Sequence, residues 1–184
     1  MNTLLLFPGA GASRDQATLV AVDKAVAPEW TTIRADFPYR KEGRKAPDRP
    51  PKLMAAVREE LDAIDGRVVV GGRSMGGRIC SMITAGADGQ ASPGSVVGVL
   101  LISYPLHPPG KPDALRVEHL PDIAVPCLFV HGTRDPFGTP DELMRWTATI
   151  AGQVTHHWVD GRGHDLKGAD REVAAIAREW LLTR

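Results

Sequence analysis

The residues with chemical potential cluster first around Ser74. The stretch Val68–Arg78, VVVGGRSMGGR, ends an apolar run by setting one hydroxyl among Gly71, Gly72, Gly76 and Gly77. The core of the stretch, Gly72-Arg73-Ser74-Met75-Gly76, fits G-x-S-x-G, with a strand expected before it and a helix after it. A nucleophilic serine needs a sharp, strained turn that lifts its hydroxyl clear of the sheet. Side chains at the flanking positions would collide with the neighbouring strand or helix, and glycine removes the collision. A helix starting at the serine aims backbone N–H groups, with their partial positive charge, at whatever the serine attacks. Alone, the motif also fits a plain glycine turn. The phosphate-binding patterns G-x-x-x-x-G-K-[ST] and G-x-G-x-x-G are absent.

A serine hydroxyl is a weak nucleophile until a base takes its proton, and the base needs an acid to orient it. For this strand–turn–helix motif the expected chain order is serine, acid, histidine. Asp135 follows the apolar run in FVHGTRDPFG, and His164 follows the next one in VDGRGHDL, so all three groups should emerge at one edge of a sheet. Asp160 and Asp165 are rival acids but sit close in sequence to His164. Among the rival bases, His131 fits a strand end supporting the Asp135 loop, and the adjacent His156 and His157 must point to opposite faces of their strand. His107 and His119 lie in a proline-rich connection. The expected catalytic set is Ser74, Asp135 and His164. The oxyanion needs two N–H donors: Met75, directly after the nucleophile, and one from the loop FPGAGAS (7–13), where Ala10 is favoured and Gly11 and Ala12 are close alternatives. Tyr39, Tyr104, Leu106, His107 and Phe137 lie just past expected strand ends and are the expected substrate-lining residues.

The elements that must position these groups are legible as an alternation. Short apolar runs at 3–7, 31–37, 67–72, 95–104, 125–132 and 154–161 read as strands. Between them, 13–27, 50–65, 76–87, 139–152 and 170–184 carry helical spacing, with Ser13 expected to cap the first and Thr139, Pro140 and Glu142 forming a start signal for the fourth. Central strands that are apolar throughout, alternating with helices, predict an α/β fold. The expected form is a doubly wound, mainly parallel six-stranded sheet with helices on both faces, in one domain over residues 1–184. Ligands of such sheets bind beyond the carboxyl ends of the strands.

Composition narrows the setting. With 22 Lys and Arg against 22 Asp and Glu, the net charge is zero, which gives no reason to expect nucleic acid or an anionic membrane as partner. The N-terminal MNTLLLFPGAG lacks the basic region of a secretory signal, and no run reaches the length of a membrane span, so a soluble, cytoplasmic chain is expected. Cys80 and Cys127 form no C-x-x-C pair and read as buried, reduced thiols. The segment 40–49 sets Arg40, Lys41, Arg44, Lys45 and Arg49 against Glu42 and Asp48. Such a loop is ordinarily solvated, and the sharper expectation is that it draws acidic acyl substrates.

The motifs FPGAGAS, GGRSMGG, HGTRDPFG and GRGH, in this order over nearly the whole chain, resemble those of the α/β-hydrolase superfamily, and within it the small dienelactone-hydrolase-like members. FPYRKEGRKAPDR (37–49) and YPLHPPGKP (104–112) are similar to a narrower group of predicted hydrolases, whose relatives include a testis-expressed protein and a subunit of the nonspecific-lethal chromatin complex. The resemblance implies a minimal fold and the triad more firmly than any substrate. Pro8 stands where the family's oxyanion motif has histidine, and the nucleophile is Ser74 where dienelactone hydrolases proper use cysteine. The chain starts at what would be the family's third strand, and the connection 105–124 is too short for a lid, so an open, shallow site is expected. The expected activity is hydrolysis of a small-molecule carboxylic ester or thioester through an acyl-enzyme, with no metal or cofactor. The alternative is a catalytically silent binding or scaffold module on the same fold.

Overall fold

The computed structural model describes residues 2–184. Its strands are β1 (Asn2–Phe7), β2 (Thr31–Arg34), β3 (Arg67–Arg73), β4 (Val96–Ile102), β5 (Cys127–Gly132) and β6 (Val154–Val159). Its helices are α1 (Ala17–Val26), α2 (Pro38–Lys41), α3 (Pro50–Asp62), α4 (Met75–Thr84), α5 (Pro140–Thr147) and α6 (Asp170–Leu181). The strands form one sheet in the order β2-β1-β3-β4-β5-β6, and every neighbouring pair is parallel.

The period of two along each strand divides the core. Register lines up Ile33, Leu5, Val70, Val99, Cys127 and Val154 in one row across the sheet. That row belongs to a cluster with Leu53 and Val57 of α3 and Ile79 and Ile83 of α4. The alternate positions Leu4, Leu6, Val69, Leu100 and Val130 pack on the other face with Leu19 and Val22 of α1 and Val173 and Ala177 of α6. Each fully buried aliphatic side chain contributes about 1.5–3 kcal/mol, so both faces must be covered, and the central strands β1, β3, β4 and β5 have no polar face to expose.

The topology also fixes where a site can form. From β1 the chain leaves through α1 on one face to β2, then returns through α3 on the opposite face to β3. The strand order therefore reverses between β1 and β3, and a crevice opens beyond their carboxyl ends. The connection 105–124 holds only the single 3-10 turn Leu120–Asp122 and places no lid over that edge.

Several element boundaries differ from expectation. α1 begins at Ala17, and Ser13 does not cap it. The Gln16 side chain instead accepts the Gly9 N–H (3.0 Å), which keeps residues 8–16 as a loop at the crevice. β2 stops at Arg34, and the short helix α2 follows it. The start signal of α5 is realised as a capping box: Thr139 Oγ1 accepts from the Glu142 N–H, and the Glu142 carboxylate accepts from the Thr139 N–H. Both cysteines are free and buried, and burial raises both thiols, Cys127 to about 12. No helix among the described residues is long and apolar enough to cross a membrane.

Candidate active site

Ser74 sits between β3 and α4 with φ 50 and ψ −119, a backbone conformation that L-residues rarely adopt. Its neighbours make the turn possible. A Cβ on Gly72, whose φ is 151, would lie 2.0 Å from the Phe7 carbonyl oxygen, and one on Gly76 would lie 2.3 Å from the same atom. Only glycine lets β1 pass this close to the turn. Both backbone groups of Ser74 are engaged: its N–H donates to the Ile102 carbonyl (2.8 Å), and its carbonyl accepts from the Arg78 N–H (3.0 Å).

Three loops from three strand ends meet here. Ser74 Oγ lies 2.8 Å from His164 Nε2. His164 Nδ1 lies 2.8 Å from Asp135 Oδ2 and 3.0 Å from Oδ1. With the carboxylate as acceptor, Nδ1 carries the proton and Nε2 is left to accept from the serine hydroxyl. Asp135 Oδ1 also accepts the Phe137 N–H (2.8 Å), which folds the loop around the carboxylate. The Asp135 side chain is 0% exposed and that of His164 is 20% exposed, so Asp135 is hidden behind His164, which faces the cleft. His131 is buried, donates from Nε2 to the Gly138 carbonyl (2.8 Å), and so supports the Asp135 loop as expected from its strand-end position. Burial is the main reason its imidazole titrates below the ordinary range.

The rivals are occupied elsewhere. Asp160 accepts from Thr133 Oγ1, and Asp165 accepts from the Lys167 N–H. His156 meets Thr147 Oγ1, His157 meets Glu172, and His119 meets Ser81 Oγ. His107 Nδ1 faces the Pro108 carbonyl.

In the loop 7–13 two of the three candidate donors are already engaged. The Gly11 N–H donates to the Tyr39 hydroxyl (3.2 Å), and the Ala12 N–H donates to the Gly9 carbonyl (3.1 Å). Among the described residues the Ala10 and Met75 N–H groups have no acceptor, and both residues line the cleft that holds Ser74 and His164. Two free donors beside a hydroxyl are the arrangement a developing oxyanion requires.

The cleft has a volume of about 460 Å³. Phe137 lines it as expected, its ring stacked on that of His164 at 3.9 Å between centroids. The other four expected lining residues do not reach it. Tyr39 is fully buried, with its hydroxyl turned to Gly11. Tyr104 packs edge-on against Phe129 and donates to the Arg116 carbonyl (2.6 Å). Leu106 and His107 are buried because their backbone is bonded to Arg116 and Phe137, which holds the segment against the body of the fold. Position past a strand end was a correct cue to the edge but said nothing of side-chain direction. The same reading missed Arg73, Arg78 and Arg116, all of which line the cleft. Arg73 Nη2 donates to the His164 carbonyl (2.7 Å), and burial holds its guanidinium below the ordinary arginine range. For Arg78 a signal existed: it stands four residues after Ser74, in the first turn of α4.

Both acids of the charged segment 40–49 are paired, while Arg40, Lys45 and Arg49 are in no ion pair among the described residues. Arg44 pairs with Glu42 and Asp48, Lys52 pairs with the same two acids, and Lys41 pairs with Glu60. Of this segment only Asp48 lines the cleft, so it presents an acid there and not its cations.

Residues 1–180 match the family model of the alpha/beta hydrolase domain, and the chain belongs to that family. Solved structures share the fold at low identity. Est1E from Butyrivibrio proteoclasticus, with ferulic acid bound, superposes with a TM-score of 0.81 at 14% identity, covering 100% of this chain and 89% of that one. A dienelactone hydrolase from Anabaena variabilis gives 0.73 at 18% identity, with 100% and 86% covered. The type II thioesterase BorB of the borrelidin biosynthetic cluster gives 0.71 at 18% identity, with 98% and 92% covered. Membership of the family supports hydrolase chemistry, and these solved structures share its fold.

Proposed function

We propose that residues 1–184 form one catalytic domain that hydrolyses carboxylic esters or thioesters through a serine-bound acyl intermediate. The observation that carries this reading is the continuous chain of contacts from Ser74 Oγ through His164 to Asp135, each link 2.8 Å, made by side chains from three separate strand ends. In the reaction Ser74 Oγ attacks the substrate carbonyl as its proton passes to His164 Nε2. Asp135 holds the imidazole in the required tautomer and stabilises the imidazolium. The Met75 and Ala10 N–H groups receive the negative oxygen of the tetrahedral intermediate. His164 returns the proton to the leaving alkoxide or thiolate. A water then attacks the acyl-Ser74 ester, with His164 acting again as base, to release the acid and restore the serine.

The test is labelling with a fluorophosphonate together with turnover of a p-nitrophenyl ester. Ser74 should take the label, and Ser74→Ala should abolish labelling and lower turnover by at least about 10³-fold. Folded protein that neither labels nor turns over ester would instead support a silent binding module.

A further inference from the structure

The cleft beside Ser74 carries two arginines that the proposed chemistry does not use. Arg78 lies in the first turn of α4, four residues after Ser74 at the N-cap, and both line the cleft. Arg116 reaches the cleft from the connection between β4 and β5, and its guanidinium makes one long contact, Nη1 to the Pro105 carbonyl at 3.4 Å. Among the described residues neither is within ion-pair distance of a carboxylate, and Arg78 Nε is buried with no acceptor. Some arginines outside the cleft are paired with carboxylates, as Arg58 is with Asp88 and Arg34 with Asp15 and Asp23. Burial first, and the Arg78 charge second, hold the Arg116 guanidinium below its ordinary range. Both groups stay cationic at any working pH. Two like charges in a half-buried cleft, with empty donor forks, cost stability that a bound anion would offset. Asp48, which also lines the cleft, is already bonded to Arg44 and Lys52 and cannot serve as that anion.

We infer that Arg78 and Arg116 form an anion subsite, and that the substrate carries a carboxylate or phosphate a few bonds from the scissile carbonyl. The inference rests on the hydrolase reading for the scissile bond and on the arginines for the anion. Ser74, Arg78 and Arg116 line one cleft, which sets the anion close to the scissile carbonyl. The anion belongs either to the acyl part or to the leaving group, and the substrates of the test separate the two.

Fluorophosphonate labelling first establishes Ser74 as nucleophile and serves as the folding check for each variant. kcat/KM is then measured for monomethyl glutarate against methyl valerate, and for S-butyryl-3-mercaptopropionate against S-propyl thiobutyrate. The expected result is a preference for the anionic member of at least one pair. That preference should fall about ten- to a hundredfold in Arg78→Gln and in Arg116→Gln, return in part in Arg78→Lys, and be unaltered in Lys41→Ala. The readout is the ratio within a pair and not either rate. Equal use of both members in both pairs, or a preference that survives both substitutions, overturns the inference. If Ser74 does not label, the hydrolase reading falls first. The subsite is then judged by melting in glutarate and in phosphate: a rise in Tm that Arg78→Gln removes keeps it, and no rise ends it.

Discussion

The strain at Ser74 can be measured by comparing two variants that are equally inactive. At φ 50 and ψ −119 the residue lies outside the regions open to L-residues, and such conformations cost about 1–3 kcal/mol. The cost is held in place because both of its backbone groups are satisfied, by Ile102 on β4 and by Arg78 on α4. Ser74→Ala removes the hydroxyl and its bond to His164 but keeps the Cβ, and with it the strain. Ser74→Gly removes the same hydroxyl and releases the strain, while adding about 0.5–1 kcal/mol of conformational entropy to the unfolded chain. Loss of the His164 contact is common to both and cancels. The glycine variant should therefore be more stable than the alanine variant by about 0–2.5 kcal/mol, centred near about 1 kcal/mol. For a chain of this size each kcal/mol moves Tm by about 2–4 °C. Thermal unfolding followed by the fluorescence of the 4 tryptophans reads the difference directly. A glycine variant that melts below the alanine variant would refute the claim that the elbow stores strain.

Other parts of the geometry give expectations of equal definiteness. Asp135→Asn keeps the shape of the loop but no longer favours the proton on His164 Nδ1, and kcat/KM for an ester should fall by about 10⁴-fold with Tm little changed; a loss under about tenfold would remove Asp135 from the mechanism. Tyr39→Phe strips the Gly11 N–H of its acceptor and loosens the loop that offers Ala10. It should lower kcat about five- to tenfold with a smaller change in KM, as expected for the loss of one hydrogen bond acting through position, and steady-state kinetics would show it. Gly72→Ala drives a Cβ into the Phe7 carbonyl at 2.0 Å and should cost at least about 3 kcal/mol in urea unfolding. His119, buried and close to the Arg78 charge, has its pKa pushed down to about 4 from the ordinary 6.5. The unfolded chain thus takes up this proton near pH 6.5 while the fold resists it until about pH 4. Its contribution to stability is complete above about pH 6.5 and is lost as the pH falls to about 4, at up to about 1.4 kcal/mol per pH unit. Urea titrations across this window should show a shallower slope in His119→Gln, and identical slopes would refute the assignment.

The two kinds of residue at the site were not equally legible. Ser74, Asp135 and His164 could be placed because the period of the strands and the parallel order force their ends to one edge, whatever the loops do in detail. The candidate second oxyanion donor could only be narrowed to Ala10, Gly11 and Ala12, since the choice depends on which of these N–H groups find acceptors: Gly11 meets Tyr39 from later in the chain, and Ala12 meets the Gly9 carbonyl through the folding of the loop itself. The lining residues fared worst. Tyr39 and Tyr104 are large and half-polar, and each buries its ring while its hydroxyl finds a backbone partner, which is how such side chains satisfy both of their parts. Helix boundaries moved for the same kind of reason: Gln16 is drawn to Gly9, and the residues before it never enter α1.

The absence of a lid from the connection 105–124 places a demand on the imidazole, because nothing closes over it to complete its alignment on binding. The fold meets that demand from three directions. Asp135 holds Nδ1 from behind, Phe137 stacks on the ring face, and Arg73, adjacent to the nucleophile, grips the His164 carbonyl. The last contact is mechanically the most telling. It ties the loop that carries His164 to the turn that carries Ser74, while the Arg134 N–H bonded to the Arg162 carbonyl (2.8 Å) ties the loop of Asp135 to the loop of His164. The separations among Ser74, His164 and Asp135 are therefore set by bonds between the loops themselves, and under the proposed function a substrate entering the open cleft would meet a preorganised site.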